Sequence, residues 1–168
     1  ALADGGNAGA VLGDGGVHGI RCTGGAFRAP AARAEGQDRN LTPNTHVAGL
    51  LATVHREGYA WADMAILCHH HSEMDMCAEF LRKRKLPHQL RRNSSSVFDP
   101  AHDSIKVMTL HVSKGLEFPV VALVGAGRMP AEGEDEREEA RLFYVGATRA
   151  SQRLVIGASG NGDFGLRL

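Results

Sequence analysis

The chain has 168 residues and a mass of 17.9 kDa, enough for one domain with a substantial core and too little for two. Hydrophobic residues at 43% and charged residues at 23% exclude a collagen-like or wholly disordered chain, and a net charge of zero gives no general attraction to acidic partners or membrane surfaces. Ten of the 21 glycines fall in residues 1–36 and four in residues 157–168, so weakly structured ends are expected around a body of ordinary composition.

The zero sum conceals a segregation of charge. Residues 82–92 carry Arg82, Lys83, Arg84, Lys85, Arg91 and Arg92 with no acid, and residues 132–139 carry Glu132, Glu134, Asp135, Glu136, Glu138 and Glu139 against Arg137 alone. A balanced chain can therefore still present a basic face. No apolar run approaches the roughly 18 residues of a membrane helix, and no secretory signal opens the chain, so no membrane partner is expected. Cys22, Cys68 and Cys77 are odd in number and lack CxxC spacing, which favours a reducing, cytoplasmic setting. A first residue of Ala1 suggests a piece of a longer protein.

In chain order, residues 1–44 form a Gly/Ala-rich segment, weakly structured or with one edge strand at Gly19 to Cys22. From Thr45, the spacing of Val47, Leu50, Leu51, Val54 and His55 predicts an amphipathic helix ending near Gly58. Met64 to Cys68 reads as a buried strand. Ser72 is expected to cap a second helix, with Glu73 and Asp75 in its first turn, Met76, Phe80 and Leu81 on one face, and Pro87 as its stop. His88 to Arg92 reads as a short strand and Asn93 to Pro100 as a polar loop. Ile105 to Leu110 and Pro119 to Val124 read as strands rich in Val, Ile and Leu. Asp135-x-x-Glu138 has the form of a capping box opening a helix with Leu142, Val145, Gly146 and Arg149 on one face, and Arg153 to Ile156 closes the series as a strand. Alternating strands and helices predict an α/β domain over residues 45–168 with a largely parallel sheet.

Two observations carry the chemistry. A phosphate-binding P-loop needs Gly-Lys followed by Ser or Thr, and none of Lys83, Lys85, Lys106 and Lys114 follows a glycine. Two segments are dense in polar side chains, VMTLHVSKGLEFPVV at 107–121 and EEARLFYVGATRASQRLVI at 138–156. The first passes from a strand into His111, Ser113, Lys114, Gly115 and Glu117, and ligands of open α/β sheets bind beyond the carboxyl ends of strands.

These two segments resemble motifs V and VI of the UvrD/Rep-like superfamily 1 DNA helicases, and Trp61 to Leu90 resembles the strand–helix–strand that opens the second RecA-like domain of that family. The resemblance implies a single RecA-like α/β domain without its own P-loop. It implies the C-terminal half of an ATP-dependent 3′ to 5′ DNA helicase or translocase. The partners implied are single-stranded DNA and an N-terminal RecA-like domain, which holds most of the ATP and its Mg2+. By position Arg149 matches the arginine finger that touches the γ-phosphate, Glu117 the ribose contact, and Gly115 the motif V turn beside the nucleotide. His111 and Lys114 match DNA-backbone contacts, with Thr109 beside that path. Where the family has Arg-Thr-Asn this chain has His69, His70 and His71; His69 and His71 are expected near the DNA track. Consecutive side chains at a strand end rarely converge on one ion, so metal binding by this histidine cluster ranks as a third reading behind the two functional ones. The family's helical insertion before motif V is reduced here to residues 91–103. The alternative reading is a non-catalytic helicase-derived module that binds single-stranded DNA or a protein.

Overall fold

The computed structural model describes residues 17–21, 43–94, 98–130 and 133–157. Six strands and three helices follow in the order β1 (Val17–Arg21), α1 (Pro43–Arg56), β2 (Met64–Cys68), α2 (His71–Lys83), β3 (His88–Arg91), β4 (Ile105–Thr109), β5 (Phe118–Val124), α3 (Glu136–Ala147) and β6 (Ala150–Gly157). They form one sheet in the order β1-β6-β5-β2-β4-β3. The five strands from β6 to β3 are mutually parallel, and β1 closes the β6 edge in antiparallel register, Val17 opposite Gly157.

Alternation along the strands divides the core into two layers. Met64, Ile66 and Cys68 of β2 face α1 and α2, joining Val47, Leu51, Val54, Met74, Cys77 and Leu81. Ala65 and Leu67 face the other way, joining Leu142 of α3 with Leu110, Leu123 and Leu154. Strands covered on both faces have no polar face, and β2 and β4 are accordingly buried along their whole length.

Several boundaries differ from those expected. The first strand runs Val17–Arg21, and Cys22, with the rest of the segment assigned to 1–44, lies outside the described residues, as do residues 95–97 of the polar loop. Helix α2 begins one residue before Ser72, which is therefore inside the first turn, and His70 takes the cap position. Its buried stripe is Met74, Cys77, Ala78 and Leu81, while Met76 is 44% exposed. A period of 3.6 accommodates either stripe from apolar residues alone, and packing on β2 and β4 selects the one containing Met74. The helix stops at Lys83, ahead of Pro87, through a left-handed residue at Lys85 (φ 56°). Asp135 does cap α3, accepting hydrogen bonds from the amides of Arg137 and Glu138, whereas the Glu138 carboxylate pairs with Arg141 and leaves the capping box half made.

The short link before β4 is fastened by a lysine. Lys106 is fully buried on β4, and its Nζ donates to the carbonyls of Asp99 (3.0 Å) and His102 (2.7 Å) and to Ser104 Oγ (3.2 Å). The ammonium also lies 5.4 Å from the centre of the Phe98 ring. Burial pulls its pKa below the ordinary lysine value, an effect that the nearby Asp99 and Asp103 partly offset. Lys106→Met removes these donors and leaves the two carbonyls without them; we expect a loss of roughly 1–3 kcal/mol in urea denaturation.

Candidate functional site

At the carboxyl edge of the sheet, Cys68 of β2 lies between Thr109 of β4 and Val124 of β5, and the Leu110 amide continues the ladder to the Cys68 carbonyl at 2.9 Å. His69 and His70 follow directly. The Glu73 carboxylate is buried in the first turn of α2 and accepts the amides of both, at 3.0 and 3.2 Å. A second buried acid, Glu139 of α3, reaches the same junction from the opposite layer, with Oε2 2.7 Å from His69 Nε2. Gly125, just after β5, has a φ of 93°, and a Cβ there would stand 2.5 Å from both Glu73 oxygens. The glycine thus provides both the left-handed turn and the space for the acid.

This geometry changes the roles expected of two residues. His69 is 7% exposed with its Nε2 2.7 Å from Glu139, and Thr109 is 5% exposed, so neither side chain stands on the surface that a DNA strand would meet. His70, His71 and His111 are exposed around them.

From this edge residues 110–117 carry the chain to the start of β5. The link is hydrogen-bonded to itself: the amides of Val112 and Ser113 donate to the Thr109 carbonyl, Ser113 Oγ donates to the Leu110 carbonyl at 2.7 Å, and the Leu116 amide returns to Ser113. Gly115 supplies a φ of 81° within it. Leu110, Val112 and Leu116 pack on the α3 side of the sheet, leaving His111, Lys114, Gly115 and Glu117 exposed. Helix α3 approaches closely because Gly146 has no side chain; a Cβ there would lie 2.2 Å from Leu110 Cδ2.

Glu117 and Arg149 sit at the opposite, amino-terminal edge. Phe118 and Ala150, the first residues of β5 and β6, are paired, and the Phe118 amide donates to the Arg149 carbonyl at 2.9 Å. The half-buried Arg149 side chain spans the two motifs: Nε donates to the Val145 carbonyl (3.0 Å), Nη1 to the Leu116 carbonyl (3.3 Å) and Nη2 to Thr148 Oγ1 (3.3 Å). The expectation that all the motif V side chains gather at the carboxyl edge is therefore corrected. β5 is seven residues long, so about 20 Å of strand separates the two groups. A guanidinium fork and an exposed carboxylate thus share the amino-terminal edge.

Sequence reading missed Glu73, Gly125, Glu139 and Lys106. Glu73 carried a usable signal, since it falls on the α2 stripe of buried residues. Glu139 stands in the first turn of α3, and only the packing of that helix on the sheet brings it to His69.

A mostly parallel sheet covered by helices on both faces is the architecture of a RecA-like α/β domain. The family profile of the UvrD-like helicase C-terminal domain matches residues 59–161, more than half of the chain, and the chain belongs to that family. Among curated relatives, DNA helicase II of Escherichia coli is 48% identical over 65 residues, which is 34% of this chain and 9% of that protein. The ATP-dependent DNA helicase PcrA of Bacillus subtilis is 49% identical over 61 residues, 32% of this chain and 8% of that protein. Each match thus spans less than a tenth of the relative's length. The crystal structure of the C-terminal domain of a possible DNA helicase from Lactobacillus plantarum superposes with a TM-score of 0.58, covering 75% of this chain and 73% of that one at 20% identity, a likeness of fold.

Gly125→Ala would force a left-handed φ on a side chain and displace the Glu73 carboxylate from two amides. We expect a loss of roughly 2–4 kcal/mol in denaturant unfolding, with an unchanged slope.

Proposed function

We propose that this domain is the C-terminal motor half of an ATP-dependent DNA helicase or translocase moving 3′ to 5′ on single-stranded DNA. The observation that carries the reading is the bond from the Arg149 guanidinium to the Leu116 carbonyl, which joins the motif VI arginine to the motif V loop beside Glu117. ATP supplies the chemistry, transfer of its γ-phosphoryl group to water. The Gly-Lys cradle and the ligands for Mg2+ belong to an N-terminal RecA-like partner domain.

Arg149 is positioned at the end of α3, where its fork can leave the Leu116 and Thr148 oxygens for the γ-phosphate across a domain cleft. A guanidinium keeps its charge and offers paired donors to oxygens that gain charge as the phosphoryl group transfers, an effect worth roughly 10³-fold or more in rate. Glu117 accepts from a ribose hydroxyl, and Gly115 gives the loop its turn beside it. On the carboxyl edge the exposed His111, Lys114 and His71 face the DNA backbone, with Lys114 as a mobile charge for a phosphate. Thr109 and His69 act from within, bracing the edge on which those side chains stand. The alternation of grip and release would pass through residues 110–117, which join both ligand edges.

In the full-length protein, Arg149→Ala should slow ATP hydrolysis by about 10³-fold while nucleotide binding, followed with a fluorescent ATP analogue, stays within a few-fold of normal. A near-normal rate would overturn the finger assignment. Lys114→Ala should weaken single-stranded DNA binding and make it less sensitive to salt, by about one counterion in the slope. An unchanged slope would remove Lys114 from the track.

A further inference from the structure

Outside the nucleotide edge, one cluster has a donor set that the motor chemistry does not use. His69 and His70 at the end of β2 and Glu134 in the turn before α3 each place a ligand atom within 4.8 Å of the others. The two rings lie 3.9 Å apart, centre to centre, inclined at 54°. Consecutive histidines rarely converge, and here the backbone explains why this pair does. Glu73 holds both amides on one carboxylate oxygen, which folds the chain sharply between the strand and α2, while His71 departs into the helix.

The surroundings are also those of a metal ligand. Glu139, buried in α3, places Oε2 2.7 Å from His69 Nε2. A carboxylate on one ring nitrogen orients a histidine and raises its basicity toward a metal on the other. Two imidazoles and one carboxylate form a borderline donor set, suited to zinc and its neighbours rather than to calcium or magnesium, which take oxygen ligands.

We propose that His69, His70 and Glu134 form a binding site for a divalent transition metal, zinc foremost, with Glu139 as the positioning residue for His69. Three protein ligands leave a fourth position for water. The bound ion would tie the β2–α2 junction to the leader of α3, segments more than 60 residues apart in sequence, across the carboxyl edge of the sheet. The site does not depend on the helicase reading, since a domain with no motor role would bind the ion in the same way.

The test is a calorimetric titration of zinc chloride into the chelator-stripped 168-residue chain at about pH 7.5. The expected result is one equivalent bound with a Kd of about 1 μM, together with a rise in melting temperature. The chain has nine histidines, so the variants and not bare binding decide the matter. His70→Ala and Glu134→Ala alter exposed side chains and should each weaken zinc about tenfold or more, whereas His71→Ala, a neighbour outside the cluster, should leave the affinity unchanged. The proposal is overturned by the absence of saturable one-to-one binding, by unaltered affinity in His70→Ala and Glu134→Ala, or by an equal loss in His71→Ala.

Discussion

The short passage from β4 to β5 is the constraint on which the rest of the molecule depends. These strands are not neighbours, since β2 lies between them, and the chain must return nearly the full length of the sheet in residues 110–117. Parallel crossovers usually take a dozen or more residues and a helix. Nine Cα steps span at most about 32 Å, and the return along the strands alone takes about 20 Å, so little slack remains. The link meets this limit with hydrogen bonds inside one compact turn, Ser113 buried as its hub, and Gly146 of α3 leaving room for Leu110. A slack loop would let its two ends move independently, whereas this one connects them as a short strut.

The carboxyl edge is stiffened by acids drawn inward from both helical layers. An unpartnered carboxylate in such a place is costly: Glu73 accepts two backbone amides, and Glu139 is set against the His69 ring at 2.7 Å. The β2–α2 junction is thereby held from above and below the sheet. The exposed neighbours His70, His71 and His111 then project from a fixed base. Precise placement of solvent-facing groups requires this kind of buried support.

The inner strands β2, β4 and β5 are legible to within a residue because strands buried on both faces leave unbroken apolar runs, as in Met64 to Cys68 and Pro119 to Val124, whereas the partly exposed β6 begins three residues before the expected Arg153. Helix α2 was harder. Met74, Met76, Cys77, Phe80 and Leu81 satisfy more than one helical stripe, and the cap was misplaced because His70 lacks a side-chain signature for that position. The polar residues of the 107–121 and 138–156 segments stand out through their resemblance to a known family. Their division between two edges did not, because a linear motif does not show which end of a strand its residues reach. The pairing of Glu139 with His69 joins positions 70 residues apart and has no local trace in the sequence at all.

The antiparallel strand β1 lies before residue 59, where the family match begins, yet it covers the outer side of β6 from Val17 opposite Gly157 to Arg21 opposite Arg153. A protein trimmed to the matched region would lose that cover and expose a row of unpaired N–H and C=O groups along an eight-residue strand. Such an edge is a template for joining another copy, strand to strand. The glycine-rich leader thus includes a guard against self-association, and domain boundaries drawn by family likeness alone would cut it away.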